Sequence, residues 1–224
     1  MDVVRQSADE YNYEYNLMGR YIGPKNKLAR RFGVNLGLKT NAAKVARRLS
    51  QTPGVHGPNQ RRRSKSTYGK QLDEKQKARF IYGLRDGQFR NYVREAERIA
   101  GDSGVNLQTI LEQRLDNVVY RMGFAVTRAQ ARQMVGHDMF TVNGKKMNIP
   151  SYLVRSGDVV AIKDTKVKKR IFEKMTEQLS NATLPSWVSV DPAKKEGKIL
   201  HMPKDADFDK VFDVKLIIEY YSTR

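Results

Sequence analysis

RLDNVVYRMGFAVTRAQARQMV, residues 114–135, carries two helical rhythms separated by a break. Leu115, Val118, Val119 and Met122 recur at spacings of three and four and continue Ile110 and Leu111 upstream, so a single helix is predicted over 107–122. Gly123 ends it, because glycine tolerates the left-handed conformation that closes helices. Thr127 and Gln130 have the spacing of a capping box, so a short second helix begins at Thr127. This register sets Arg128 and Arg132 one turn apart on the same side.

Downstream, residues 140–142, the pair Asn143-Gly144 and residues 145–149 read as a hairpin, since Asn-Gly suits the positive φ angles of a type I′ turn. A further strand is predicted over 158–163. The result is a helix, helix, hairpin, strand unit carrying Arg114, Arg121, Arg128, Arg132, His137, Asn143, Lys145 and Lys146. Upstream, apolar spacing predicts helices over 72–84 and 88–100, separated by Asp86-Gly87, and GDSG at 101–104 marks a break between domains. The fold class is α+β: a helical N-terminal domain followed by a small α/β module, with a C-terminal tail packed on the body. LIIEYYS, residues 216–222, is expected as a strand or extended segment.

Charge narrows the partner. The 224 residues carry 42 Lys and Arg against 24 Asp and Glu, a formal charge of +18 with a pI near 10.0. Such an excess implies a polyanion. Residues 15–72 hold fourteen Lys and Arg and no Asp or Glu, interleaved with apolar residues such as Leu28, Phe32, Leu36 and Val45. A charge run is usually a solvated tail, but this one has the apolar content to fold in part. Within it, TPGVHGPNQRRRSKSTYGKQL (52–72) places Arg61, Arg62 and Arg63 beside Lys65 and Lys70 in a turn-rich segment. His56 reads as a backbone-bonding turn residue. Tyr68 reads either as a base-stacking ring or as packing against the following helix.

The chain is long enough for one or two domains with real cores. It has no cysteine, so neither disulfides nor thiolate metal sites operate. His56, His137 and His201 are scattered, and no metal site or cofactor is predicted. No apolar run has the length of a membrane span. Residues 1–17 carry Asp2, Asp9, Glu10 and Glu14 against Arg5 alone, unlike the basic leaders of exported or organellar proteins. A cytoplasmic location, or an organelle interior, is expected.

Residues 114–135, with VNG at 142–144 and IPSY at 149–152, resemble the S4-type RNA-binding domain, a module also appended to RNA-modifying enzymes. RYIGPKNKLARR (20–31), PGVHG (53–57), YGKQLDEKQKARFIYG (68–83), QFRNY (88–92), LPSWVSVD (184–191) and LIIEYYS are similar, in order, to the bacterial-type ribosomal protein S4 family. The resemblance covers nearly everything from Met18 onward. It implies a structural protein of the small ribosomal subunit that binds the 5′ domain of small-subunit rRNA at a multi-helix junction, nucleates assembly and influences translational accuracy. It implies further partners: ribosomal protein S5 and other small-subunit proteins, and mRNA where it enters the subunit, beside Arg47 and Arg48.

The expected divisions are an extension or mis-assigned start at 1–17, a basic helical domain at 18–106, the S4-type module at 107–167 and a C-terminal segment at 168–224. The expected rRNA-binding residues are Arg20, Lys25, Lys27, Arg30, Arg31, Lys44, Arg47, Arg48, His56, Arg61, Arg62, Arg63, Lys65, Tyr68, Lys70, Arg114, Arg121, Arg128, Arg132, Asn143 and Lys145. Asp205, Asp207 and Asp209, in a tail of mixed charge, are expected to face a neighbouring protein. Many family members hold the N-terminal segment with four cysteines around zinc. Asn26 and Ala29 stand where the first pair would fall, so no zinc is expected here. GHDMF (136–140) also departs from the commoner His-Gly-His-like pattern. Two alternatives remain: an RNA-modifying enzyme carrying the module, for which no room or nucleophile–base pair is evident, and a free-standing RNA chaperone.

Overall fold

A computed structural model describes residues 21–59, 64–167, 169–172, 179 and 184–223. In chain order its helices are α1 (Lys25–Phe32), α2 (Ala42–Ala46), α3 (Thr67–Ile81), α4 (Asp86–Arg98), α5 (Ser103–Glu112), α6 (Leu115–Arg121), α7 (Arg128–Gly136), α8 (Asp164–Val167) and α9 (Val214–Ser222). The strands are β1 (Phe140–Val142), β2 (Lys145–Lys146), β3 (Val159–Ile162), β4 (Val188–Asp191) and β5 (Glu196–Ile199). They divide into two compact units, one of residues up to Glu95 together with those from Val211 on, the other Ala96–Lys210.

In the first unit, Ser66 caps α3 by accepting the Gly69 amide at 3.2 Å. The C-terminal segment completes this unit as a helix rather than the expected strand. Asp213 accepts the Lys215 amide at 2.9 Å at its start, and its own amide donates to Glu74 Oε2 on α3 at 3.0 Å. Ile217 and Tyr220, three residues apart, are buried. The β-branched and aromatic content of LIIEYYS suggested a strand, but the cap and the packing against α3 override that propensity. Tyr220 stacks on Tyr68 with centroids 5.9 Å apart. Beneath it the buried Lys75 ammonium reaches Asp86 at 2.8 Å and lies 4.8 Å from the Tyr220 ring centroid, a cation kept inside by a carboxylate and a ring face.

In the second unit the single predicted helix over 107–122 is two. Arg114, at φ −61 and ψ 133, is extended. Backbone amides at the break turn outward: Leu115 donates to the Tyr152 carbonyl at 2.8 Å, Asp116 to Pro150 at 3.2 Å, and Val154 donates back to Gln113 at 3.0 Å. Apolar spacing runs on unbroken because both helices bury apolar residues, Leu107, Ile110 and Leu111 on α5 and Leu115, Val118 and Val119 on α6, so periodicity alone could not register the break.

The capping box of α7 forms as read: Thr127 Oγ1 accepts the Gln130 amide at 3.2 Å, while Gln130 Oε1 accepts from Val126 at 3.0 Å. The Asn143-Gly144 turn also forms, with φ of 50 and 75, and joins β1 to β2. All pairings in the five-stranded sheet are antiparallel, in the order β2-β1-β3-β5-β4. The segment read as one C-terminal tail is therefore split. Its first part adds β4 and β5 to the sheet, where Val160 lies opposite Gly197, and its last part is α9 in the first unit. A Cβ at residue 197 would stand 2.5 Å from the Met122 sulfur, so a larger residue there would have to displace this buried side chain. Met122, Phe140, Val160, Trp187 and Ile199 sit together in the core of the second unit.

Ile217 is fully buried, so Ile217→Ala is expected to cost about 2 to 5 kcal/mol. Urea unfolding followed by circular dichroism reads this loss; an exposed mutation on the same helix, Lys215→Ala, should cost far less.

Candidate nucleic-acid interface

On the first unit one cation is tied to a tight turn. Arg30 on α1 donates to the carbonyls of Gln51 at 3.0 Å and Thr52 at 2.8 Å. Thr52 Oγ1 in turn donates to the Gly57 carbonyl at 3.0 Å. A Cβ at residue 57 would stand 1.9 Å from the Thr52 oxygen, so only glycine closes this loop. Arg30 therefore organises the turn, while Lys25, at the start of the same helix, is half-buried. Lys27, Arg31, Lys44, Arg47, Arg48, His56, Lys65, Tyr68 and Lys70 are exposed. His56 accepts the Asn59 amide through its carbonyl at 3.2 Å, as expected of a turn residue. Lys65 pairs with Asp73, an acid one residue beyond the acid-free run. Tyr68 combines both readings, since its ring packs on Tyr220 yet stays 46% exposed. Arg20, Arg61, Arg62 and Arg63 lie outside the described residues.

The second unit holds its arginines in a polar network under α6 and α7. Arg114 is 0% exposed, with Nε and Nη2 donating to Asp116 at 3.1 and 2.7 Å. Its expected role in RNA contact is corrected by that burial: it is a structural cation. Arg132, on the next helix, reaches the same carboxylate at 3.2 Å. Glu112, almost fully buried, accepts from Arg121 Nε and Nη2 at 2.8 Å each. Asn117 donates to Glu112 at 2.7 Å and accepts from Arg128 Nε at 2.8 Å. The Arg128 guanidinium also lies 4.6 Å from the Tyr120 ring centroid. Asp209 closes the outer side, with Oδ2 at 2.9 Å from both Arg121 Nη2 and Arg128 Nη2. Glu112, Asn117 and Tyr120 were not anticipated as site residues, because their partners lie across helices and no single-helix spacing reveals them.

Two of the expected protein-facing acids, Asp207 and Asp209, also have partners within the chain. Asp209 is committed to Arg121 and Arg128. Asp207 accepts from Ser186 Oγ at 2.7 Å and the Lys204 amide at 3.1 Å. Asp205 lies in a short 3₁₀ turn with Asp207. Asn143 is used by the hairpin: it accepts the Val159 amide at 2.9 Å and donates to Asp158 at 2.8 Å. Lys145 is exposed beside it. His137 caps the end of α7 through its backbone amide. Asp138, at φ 58, binds Lys163 at 2.8 Å and Lys146 at 3.1 Å, and the Lys163 hydrogen bond holds its carboxyl below the usual range. For Asp209, burial opposes ionisation, but the charges of Arg121 and Arg128 outweigh it and the carboxyl stays below its ordinary value. No cluster among the described residues is arranged to hold a metal ion, and no described helix is long and apolar enough to cross a membrane.

Residues 20–112 match the family described as Ribosomal protein S4/S9 N-terminal domain, and residues 113–160 match the S4 domain. With the fold, these matches define the class: a protein that joins a basic helical domain to an S4 module. The chain belongs to the uS4 family of small ribosomal subunit proteins. It is 49% identical over 210 residues to the small ribosomal subunit protein uS4 of Herpetosiphon aurantiacus and 45% identical over 207 residues to that of Roseiflexus castenholzii, in each case covering 92% of this chain and the whole relative. The corresponding protein of Polaromonas naphthalenivorans is 45% identical over the same shares.

Asp209 binds fewer protons when folded than unfolded, so it stabilises the protein above the ordinary Asp pKa, and this stabilisation is lost as pH falls through its lower native value. Acid unfolding of Asp209→Asn should accordingly show a shallower dependence of stability on pH below about 4 than the unaltered chain. Equal slopes would show that the carboxylate contributes nothing to acid sensitivity.

Proposed function

We propose that this chain is an rRNA-binding structural component of the small ribosomal subunit and performs no catalysis. The observation that carries the reading is the exposed cation set of the first unit, Lys27, Arg31, Lys44, Arg47 and Arg48, on a segment free of carboxylates. Full-length similarity to small-subunit proteins supports it. Guanidinium groups offer paired hydrogen bonds to phosphate, and folded RNA is recognised largely through shape, phosphates and 2′-hydroxyls. Arg121, Arg128 and Arg132 on the second unit form a separate contact surface, with Lys145 at its hairpin. Arg20, Arg61, Arg62 and Arg63 belong to the proposed set by charge alone.

The finer reading is that the chain docks early on a multi-helix junction in the 5′ domain of the rRNA and helps nucleate assembly there, within cytoplasmic ribosomes or those of an organelle. Ribosomal protein S5 is the proposed neighbour of the C-terminal region, through which the chain influences decoding accuracy. Arg47 and Arg48 face the path along which mRNA enters. Co-sedimentation with small subunits tests the main reading: a protein that never enters these particles is a free RNA chaperone instead.

Neutralising about six to ten phosphates predicts that affinity for a 5′-domain rRNA fragment falls by roughly 10³ to 10⁵ between 50 and 200 mM salt. Lys44→Ala with Arg47→Ala and Arg48→Ala should flatten that slope, and Arg61→Ala with Arg62→Ala and Arg63→Ala should flatten it separately. Filter binding across a salt series measures both. An unchanged slope in either variant removes that surface from the interface.

A further inference from the structure

Asp209 is the odd member of the arginine network. Glu112 and Asp116 lie beneath the helices with side chains 1% and 6% exposed, whereas the Asp209 side chain is 31% exposed and sits outside any helix or strand. It comes from 81 residues beyond Arg128. One oxygen bridges two guanidinium groups at 2.9 Å each, the geometry in which a phosphate oxygen is bound by an arginine pair. Neither arginine depends on Asp209 for its orientation. Arg121 is held by both oxygens of Glu112, and Arg128 by Asn117 and the face of Tyr120. Among the described residues, Arg121, Arg128, Glu112 and Asp209 sum to zero charge, and without Asp209 the other three carry one net positive charge.

We propose that Arg121 and Arg128 form a phosphate site that the chain fills with its own carboxylate, Asp209, and that an RNA phosphate takes this site by displacing it. The arginines stay aligned throughout, so the exchange requires movement only of the outermost, partly exposed side chain. Asp209 is anionic across the neutral range, as its depressed pKa implies, and so competes with RNA at every physiological pH. The second unit therefore binds RNA more weakly than its arginine content suggests until a phosphate is delivered between the two guanidinium groups. The inference rests on the reading that this face contacts rRNA.

The test uses the full chain, a 5′-domain rRNA fragment and a salt series. Asp209→Asn keeps the shape and removes the competing charge; it should raise affinity about tenfold, the effect of charge-assisted contacts no longer broken, and leave the log–log salt slope unchanged, because the same phosphate is neutralised in both chains. Asp207→Asn removes the same charge two residues away without touching the arginines, and should change neither quantity. Asp209→Glu, which retains the carboxylate, should stay near the unaltered chain. Circular dichroism establishes that each variant is folded, and if Asp209→Asn is not, Asp209→Ser replaces it with the same expected gain. An Asp209 variant that binds no tighter than Asp207→Asn, or binds more weakly, overturns the displacement. Arg121→Ala with Arg128→Ala separates the two layers of the argument. If that variant binds less tightly while Asp209→Asn is unchanged, only the displacement fails; if it binds as well as the unaltered chain, the interface reading of this face fails and the displacement with it.

Discussion

A guanidinium sealed away from water must have a carboxylate against it, and Arg114 with Asp116 meets that requirement inside the second unit. The pair stands where α5 stops and α6 begins. The break turns the amides of Leu115 and Asp116 toward residues 150–152, and this binds the loop before β3 to the helices. α6 then starts in the register that aims Asn117 and Arg121 at Glu112, and α7 brings Arg132 to the Asp116 Oδ2 that Arg114 also binds. An arginine read as a ligand-binding residue thus sets the geometry in which its neighbours stand. Removing Asp116 would strand a buried charge, a far greater disturbance than the loss of a surface ion pair.

Local chemistry made much of the fold legible. The Thr127–Gln130 cap, the Asn143-Gly144 turn and the strand near Val159–Ile162 are each fixed by residues close in sequence, and each formed where it was read. The failures share one cause, which is that distant partners decided the outcome. α5 and α6 separate because the loop at 150–154 takes the backbone bonds at the break. α9 is a helix because Glu74 and Tyr68, far back in the chain, receive it. β5 pairs with β3 through Gly197, a position whose tightness appears only once Met122 is packed beneath it.

The interface was legible as charge but not as geometry. Lys27, Arg31, Lys44, Arg47 and Arg48 are exposed as a solvated basic surface requires. Arg30 looked like another member of that surface, yet its guanidinium ties down the Thr52 turn. Composition counts a cation identically whether it faces solvent, a carbonyl or a buried acid, and Arg30 and Arg114 show how much that equivalence conceals. The acidic tail shows the same limit: Asp207 and Asp209 look unclaimed in the sequence until Ser186, Arg121 and Arg128 are brought to them.

The pairing of α9 with α3 has a consequence for the order in which the protein can be made. Gln71 and Glu219, hydrogen-bonded at 3.1 Å, are 148 positions apart, and the helix that covers Tyr68 and Lys75 is translated only after the whole of the second unit. Synthesis runs from the N-terminus and domains tend to fold as they emerge. The second unit, continuous from Ala96 to Lys210, can therefore close while the first still waits for its final helix. The first unit is begun before the second and completed after it, so α3 emerges long before the helix that packs on it.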